Sequence, residues 1–154
     1  MKGRPLSKVY KGCCAERTMQ NFKLTNPEAL VNIYSRVAQE AAPAKNVSRG
    51  GADLRKLDEA GSNLELVITY VYKPGRFAKE KTVVAVVPVK RVENGVFVGE
   101  VGATVIRVLS MKKGNLEEEW SGSLEEAKAQ LPEVVSVFEA DMEALTKARA
   151  NFSV

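Results

Sequence analysis

The clearest pattern in the chain is an alternation. From Leu64 to Tyr72, residues Leu64, Leu66, Ile68, Tyr70 and Tyr72 share one face and Glu65, Val67, Thr69 and Val71 the other, the period of two expected of a strand. Lys73-Pro74-Gly75-Arg76 then supplies the residues of a turn. A second strand runs from Thr82 to Val92 and is apolar on both faces for most of its length, which predicts a covered sheet. Pro88 has no N–H to give a ladder and predicts an edge or a bulge. Asn94-Gly95, between two β-branched runs, predicts a tight type I′ hairpin, a turn whose central residues both take positive φ. The third strand extends from Val96 to Met111, with Gly99 and Gly102 at bulges or close contacts. Lys112-Lys113-Gly114-Asn115 turns the chain into a short fourth strand, Leu116 to Trp120. Strands two to four make an antiparallel meander.

Helical spacing flanks this region. Asn26-Pro27-Glu28 reads as a helix start, with Asn26 placed to accept from the first-turn amides and Pro27 suited to the first helical position. Leu30, Ile33, Tyr34, Val37, Ala38 and Ala41 follow on one face, and Pro43 ends the helix. Ala44 to Ser48 is compatible with a short strand. Gly50-Gly51 breaks the pattern without matching a phosphate-loop spacing. Ala52 to Ala60 reads as a short helix with Leu54 and Leu57 inward, stopped by Gly61. Ser123 and Glu126 have the spacing of a capping box, and Pro132 kinks or restarts the helix behind it. Val134, Val137, Phe138, Asp141, Met142, Leu145, Ala148 and Phe152 keep helical spacing, and all but Asp141 are apolar.

The predicted fold class is therefore α+β. A mainly antiparallel four- to five-stranded sheet carries an N-terminal helix, a short second helix and a long C-terminal helix packed on it. Residues 1–24 are expected to be a flexible basic arm or edge strand, and residues 25–154 a single domain. The order of elements over residues 26–150 resembles that of the small α/β lipoproteins of curli secretion and exopolysaccharide export. There too a helix–strand–helix unit leads into a meander, and Trp120-Ser121-Gly122 stands where such chains end a strand. The resemblance implies a bacterial envelope or secretion assembly and carries no functional residue with it.

Composition narrows the chemistry. None of the 154 residues is histidine, so a Ser-His-Asp triad, a Cys-His dyad and a histidine metal site are excluded. No metal or cofactor is expected. The two cysteines, Cys13 and Cys14, are adjacent, and neighbouring residues sit badly for a disulfide. They are expected to be accessible thiols in the arm. Gly12-Cys13-Cys14-Ala15 has the look of a lipoprotein cleavage tail, but Tyr10 and Lys11 depart from it and no apolar run of about 7–15 residues precedes it. A lipid anchor at Cys13 is thus disfavoured, and the default location is cytoplasmic. A trimmed N-terminus would place the chain in the periplasm or on the outer membrane. No stretch reaches the about 18–20 apolar residues of a transmembrane helix.

Charge is segregated. Residues 1–24 carry a net +5, residues 73–113 a net +6 and residues 115–143 a net −8. The cations of the middle block, Lys73, Arg76, Lys79, Lys81, Lys90, Arg91, Arg107, Lys112 and Lys113, are the candidate anion- or partner-binding residues, with Tyr70, Tyr72, Phe77 and Phe97 as nearby rings. Glu117 and Glu119 would share a face of a regular strand, and Asp53, Asp58 and Glu59 the wet side of the short helix. Trp120 reads as a core or interface anchor. These features favour a non-catalytic binding or assembly module that recognises a protein partner or itself, without enzymatic activity. Nucleic-acid binding through the basic β-region is the alternative, and a histidine-free enzyme a third.

Overall fold

The computed structural model describes residues 21–152, with side chains through Ala148, so Cys13, Cys14 and most of the N-terminal arm lie outside the described residues. The strands are β1 (Phe22–Leu24), β2 (Val47–Lys56), β3 (Asn63–Tyr72), β4 (Lys81–Arg91), β5 (Phe97–Gly99), β6 (Val105–Lys112) and β7 (Asn115–Ser123). The helices are α1 (Leu30–Glu40), α2 (Leu124–Gln130) and α3 (Pro132–Phe152). The fold is α+β, and the seven strands make one antiparallel sheet, more than the four or five expected.

β4 organises the sheet. On one side it pairs with β3, and β3 with β2. On its other side Val89–Arg91 pair with β5 and Thr82–Val86 with β6. β1 then lies outside β5, and β7 outside β6. The expected continuous strand from Val96 to Met111 is thus two strands, separated by a short 3-10 turn at Val101–Ala103. Pro88 accounts for the break. Its carbonyl accepts from the Glu100 amide at 2.8 Å. In an antiparallel strand the N–H and C=O of one residue point to the same side, so the donor that Pro88 lacks is missing where the neighbouring strand leaves the ladder.

The Asn94-Gly95 turn forms as expected, with φ of 62° and 74° at its two central residues. At Gly99 a different demand applies: a Cβ there would lie 2.0 Å from the Phe22 ring, so the side chain of β1 packs flat against bare backbone. The capping box is present, Ser123 Oγ accepting from the Glu126 amide at 3.1 Å and Glu126 Oε1 from the Ser123 amide at 2.8 Å. Pro132 restarts the helix instead of bending it. At α1, Asn26 makes no side-chain cap, and a 3-10 turn over Pro27–Ala29 leads into the helix.

The largest correction concerns Ala52 to Ala60, which is not helical. Val47–Lys56 pair with β3 along their length, and Gly50-Gly51 falls at a bulge in that ladder, where the register shifts between Arg49 and Gly51. The true pattern is the alternation of half-buried Ala52 and Leu54. Leu57, read as inward, is exposed in the following turn. The helix–strand–helix unit that carried the lipoprotein resemblance is therefore not the arrangement found.

All three helices contribute to one core. Leu30, Ile33, Tyr34 and Val37 of α1, Ala127 of α2 and Val134, Val135, Phe138, Met142 and Leu145 of α3 are buried with Leu66, Ile68 and Tyr70 of β3, Val83, Ala85 and Val87 of β4 and Ile106 of β6. On the opposite face of the sheet Val67, Val71, Val84, Val86 and Leu109 are only half-buried. Among the described residues, the sheet expected to be covered is covered on one face.

Candidate functional site

The most connected group of ionisable residues surrounds Asp141. This carboxylate, buried on α3, faces β2, where the Arg49 guanidinium donates from Nη2 at 2.7 Å and from Nε at 3.1 Å to each oxygen. Tyr70 on β3 donates its hydroxyl to Oδ2 at 2.7 Å, and Tyr34 on α1 at 3.3 Å. Two helices and two strands thus converge on one carboxylate. Burial, then the Asp141 charge, pushes the Tyr34 hydroxyl up to about 12 and that of Tyr70 higher still. The Asp141 hydrogen bond in turn raises Arg49 above its usual range.

This arrangement is built to stay as it is. Burial and the Asp141 charge hold both tyrosines protonated, and the Arg49 guanidinium is matched to the carboxylate. The pair is hydrogen-bonded on all sides, as a buried charge must be. A smaller copy lies two helical turns away, where Glu133 accepts from the Tyr72 hydroxyl at 2.7 Å and from Asn46 Nδ2 at 3.0 Å. These bonds, with Lys45 nearby, hold the Glu133 carboxyl below its usual range. The sequence carried the signal in Asp141, the one charge in an apolar stripe, and in two tyrosines on the inner face of β3. Its partner Arg49 lay outside any recognised element.

The nine candidate cations do not form one patch. Lys73, Arg76 and Lys79 lie at or beyond the end of β3, Lys81 begins β4, and Lys112 and Lys113 sit at the β6–β7 turn, all at one end of the sheet. Lys90 and Arg91 are at the far end of β4, about 30 Å away for a strand of this length. Arg107 lies mid-strand. Three of the nine are ion-paired: Lys81 to Glu119 at 3.0 Å, Lys90 to Glu100 at 3.4 Å and Arg107 to Glu118 at 2.6 Å. The rings are dispersed too. Tyr70 is buried, Tyr72 is engaged with Glu133, Phe97 lines a distant cleft, and Phe77 alone stands fully in solvent.

The acidic run does not make a two-carboxylate site. A bulge in the β6–β7 ladder sets Trp120 opposite Val108 and Glu118 opposite Leu109, which takes Glu119 out of the alternation. The Lys81 ammonium holds the Glu119 carboxyl below its usual range. Trp120 packs at the edge of the core. Asp53 accepts from the Leu54 amide, and Asp58 from the Ser62 amide and the Asn63 side chain, so both are local turn and edge fixtures. Among the described residues no three Cys, Asp or Glu come together as a metal site.

Two clefts formed by described residues are open to solvent. One, of about 390 Å³, lies under the β3–β4 loop and is lined by Ser48, Lys73, Arg76 and Glu80. The other, of about 590 Å³, is bounded by Asn26, Glu28, Asp53, Lys56 and Phe97. No family model matches the chain, and no curated protein or solved structure matches it.

Proposed function

We propose that the chain is a non-catalytic binding module that recognises a protein partner or a second copy of itself through the open face of its sheet. One observation carries this reading. β4 is apolar on both faces, while the helices cover only one, so Val67, Val71, Val84, Val86 and Leu109 stand together half-exposed. A contiguous apolar area on adjacent strands is the usual mark of an interaction surface. The buried polar groups support the same reading, because the donors around Asp141 are spent on holding α1, β2, β3 and α3 together.

Sedimentation velocity on the full chain tests it. The expected result is self-association, or capture of a protein partner, that is lost in Val84→Gln/Val86→Gln while the melting temperature stays close to the parent's. Identical sedimentation and identical capture by parent and variant would remove the open face from this role. The alternative, nucleic-acid binding, has one observation in its favour, the gathering of Lys73, Arg76, Lys79, Lys81, Lys112 and Lys113 at one end. Salt-dependent retention on an RNA or DNA column tests that reading.

A further inference from the structure

The two ends of the sheet differ in a way the open face does not explain. β4 runs antiparallel to both β3 and β6, so the 73–80 loop and the 112–115 turn leave the same end. With Thr82 opposite Leu109, Lys112 and Lys113 stand beyond Lys81, and the two hairpin tips are neighbours about 10 Å apart, two strand spacings. Each tip exposes apolar side chains. Phe77 is 94% exposed on the first, and on the second the cross-strand pair Met111 and Leu116 are 55% and 54% exposed.

Cations surround them. Lys45, Lys73, Arg76, Lys79, Lys81, Lys112 and Lys113 outnumber the nearby carboxylates Glu80, Glu117, Glu118, Glu119 and Glu133, and of these Glu118, Glu119 and Glu133 are already bonded to Arg107, to Lys81 and to Tyr72 with Asn46. The Arg76 guanidinium lies 5.6 Å from the centre of the Phe77 ring, so charge and ring are presented side by side. The opposite end also exposes apolar groups, Leu57 at 57% and Val92 at 48%. There, however, Lys23, Lys56, Lys90 and Arg91 are interleaved with Asp58, Glu59, Glu93 and Glu100, and among the described residues no positive excess remains.

We propose that the end formed by the 73–80 loop and the 112–115 turn docks on an anionic lipid bilayer, with Phe77, Met111 and Leu116 entering the interface and the lysines and Arg76 contacting headgroup phosphates. Exposed apolar groups ringed by cations supply the two signals, apolar burial and electrostatic attraction, that together hold a peripheral protein on a membrane. The exposed groups lie on hairpin tips, and no helix among the described residues is long and apolar enough to cross a membrane, so the proposed mode is peripheral contact through the loops. A single-stranded nucleic acid fits less well. It would need successive rings to stack on, whereas Phe77 stands alone, and Met111 and Leu116 partition into lipid without stacking on bases.

Co-sedimentation of the full chain with phosphatidylcholine vesicles, with and without phosphatidylglycerol, tests this. Binding should require the anionic lipid and weaken with salt. Phe77→Ser should lower partitioning about tenfold, from the lost apolar burial. Lys112→Glu/Lys113→Glu should lower it by roughly twenty-fivefold or more, since each basic residue at such a surface is worth about fivefold. Leu57→Ser/Val92→Ser, at the other end, should bind as the parent does. So should Val84→Gln/Val86→Gln, which separates this proposal from the role of the open face. All these positions are exposed or half-exposed, and unchanged melting would show that folding is retained. Equal binding to neutral and anionic vesicles would overturn the proposal. So would Phe77→Ser and Lys112→Glu/Lys113→Glu variants that bind like the parent, an equal loss in Leu57→Ser/Val92→Ser, or displacement from vesicles by single-stranded RNA at equal phosphate.

Discussion

Val87 and Val86 are neighbours in β4, chemically identical and equally extended, yet Val87 lies under α3 and its fellow helices while Val86 looks out from the open face. The contrast runs along the whole strand. Val83, Ala85, Val87 and Val89 are fully buried, and Val84, Val86 and Pro88 are half-buried between them. Apolarity therefore tells what a face is suited to touch, and only the rest of the fold decides whether the chain itself supplies the contact. Among the described residues one face is completed internally, with a charged cluster set into it, and the other stays half-open.

The strongest way to break the comparison is to dismantle the covered side. Asp141→Ala would leave the Arg49 guanidinium and two tyrosine hydroxyls without their acceptor, and stability should fall by about 3–5 kcal/mol, the usual cost of breaking a buried pair. Phe138→Ala should cost a similar amount, about 3–5 kcal/mol, through the cavity left under the sheet. Denaturant titration reads both. Near-neutral outcomes would mean that α3 does not hold the fold together.

A turn substitution comes next. Gly95→Val places a β-branched residue at a φ of 74° with nothing crowding its side chain. The expected loss of about 1–3 kcal/mol is therefore conformational strain alone. A parent-like melting curve would take the hairpin out of the account of register.

The matched pair Val87→Thr and Val86→Thr sharpens the contrast most directly, because shape and β-propensity are kept. The buried hydroxyl should cost about 1–3 kcal/mol if it finds no partner, and the open-face one should stay within about 0.5 kcal/mol. Equal effects would mean that both faces are buried in solution, which would itself point to a stable assembly.

The alkaline limb of stability gives a final check. An ordinary tyrosine titrates near 10, and Tyr34 is pushed up to about 12 in the folded chain. The contribution from its protonated hydroxyl is complete below pH 10 and is lost as the pH rises toward 12. Tyrosinate absorbance at Tyr34 should rise with loss of helical circular dichroism, and ionisation well before unfolding would contradict the burial of the cluster.

Much of this was legible in the sequence and some was not, for physical reasons. Leu64–Tyr72, the Asn94-Gly95 turn and the capping box rest on local rules, and local geometry obeys them. Ala52–Ala60 misled because Leu54 and Leu57 imitate helical spacing, whereas pairing with β3 decides the conformation. The break between β5 and β6 follows from Pro88 on a neighbouring strand, so no reading confined to residues 96–111 could find it. Asp141 stood out as a charge among apolar residues, but its partners lie 71 to 107 residues away. The basic block was visible as a run and is divided by strand direction, which only the register reveals.

The pairing of β1 with β5 has a consequence for the order of events in folding. Every other ladder among the described residues joins strands closer along the chain, whereas Phe22 meets Gly99 across half of its length. Closing so large a loop costs entropy that local hairpins do not incur. The β2–β3–β4 and β6–β7 hairpins are therefore expected to form first, with β1 joining once the Gly99 surface that receives the Phe22 ring exists. The same strand, three residues long and held at one edge, is the first place for the native sheet to open, so amide exchange at Phe22–Leu24 proceeds through local release while β3 and β4 stay closed.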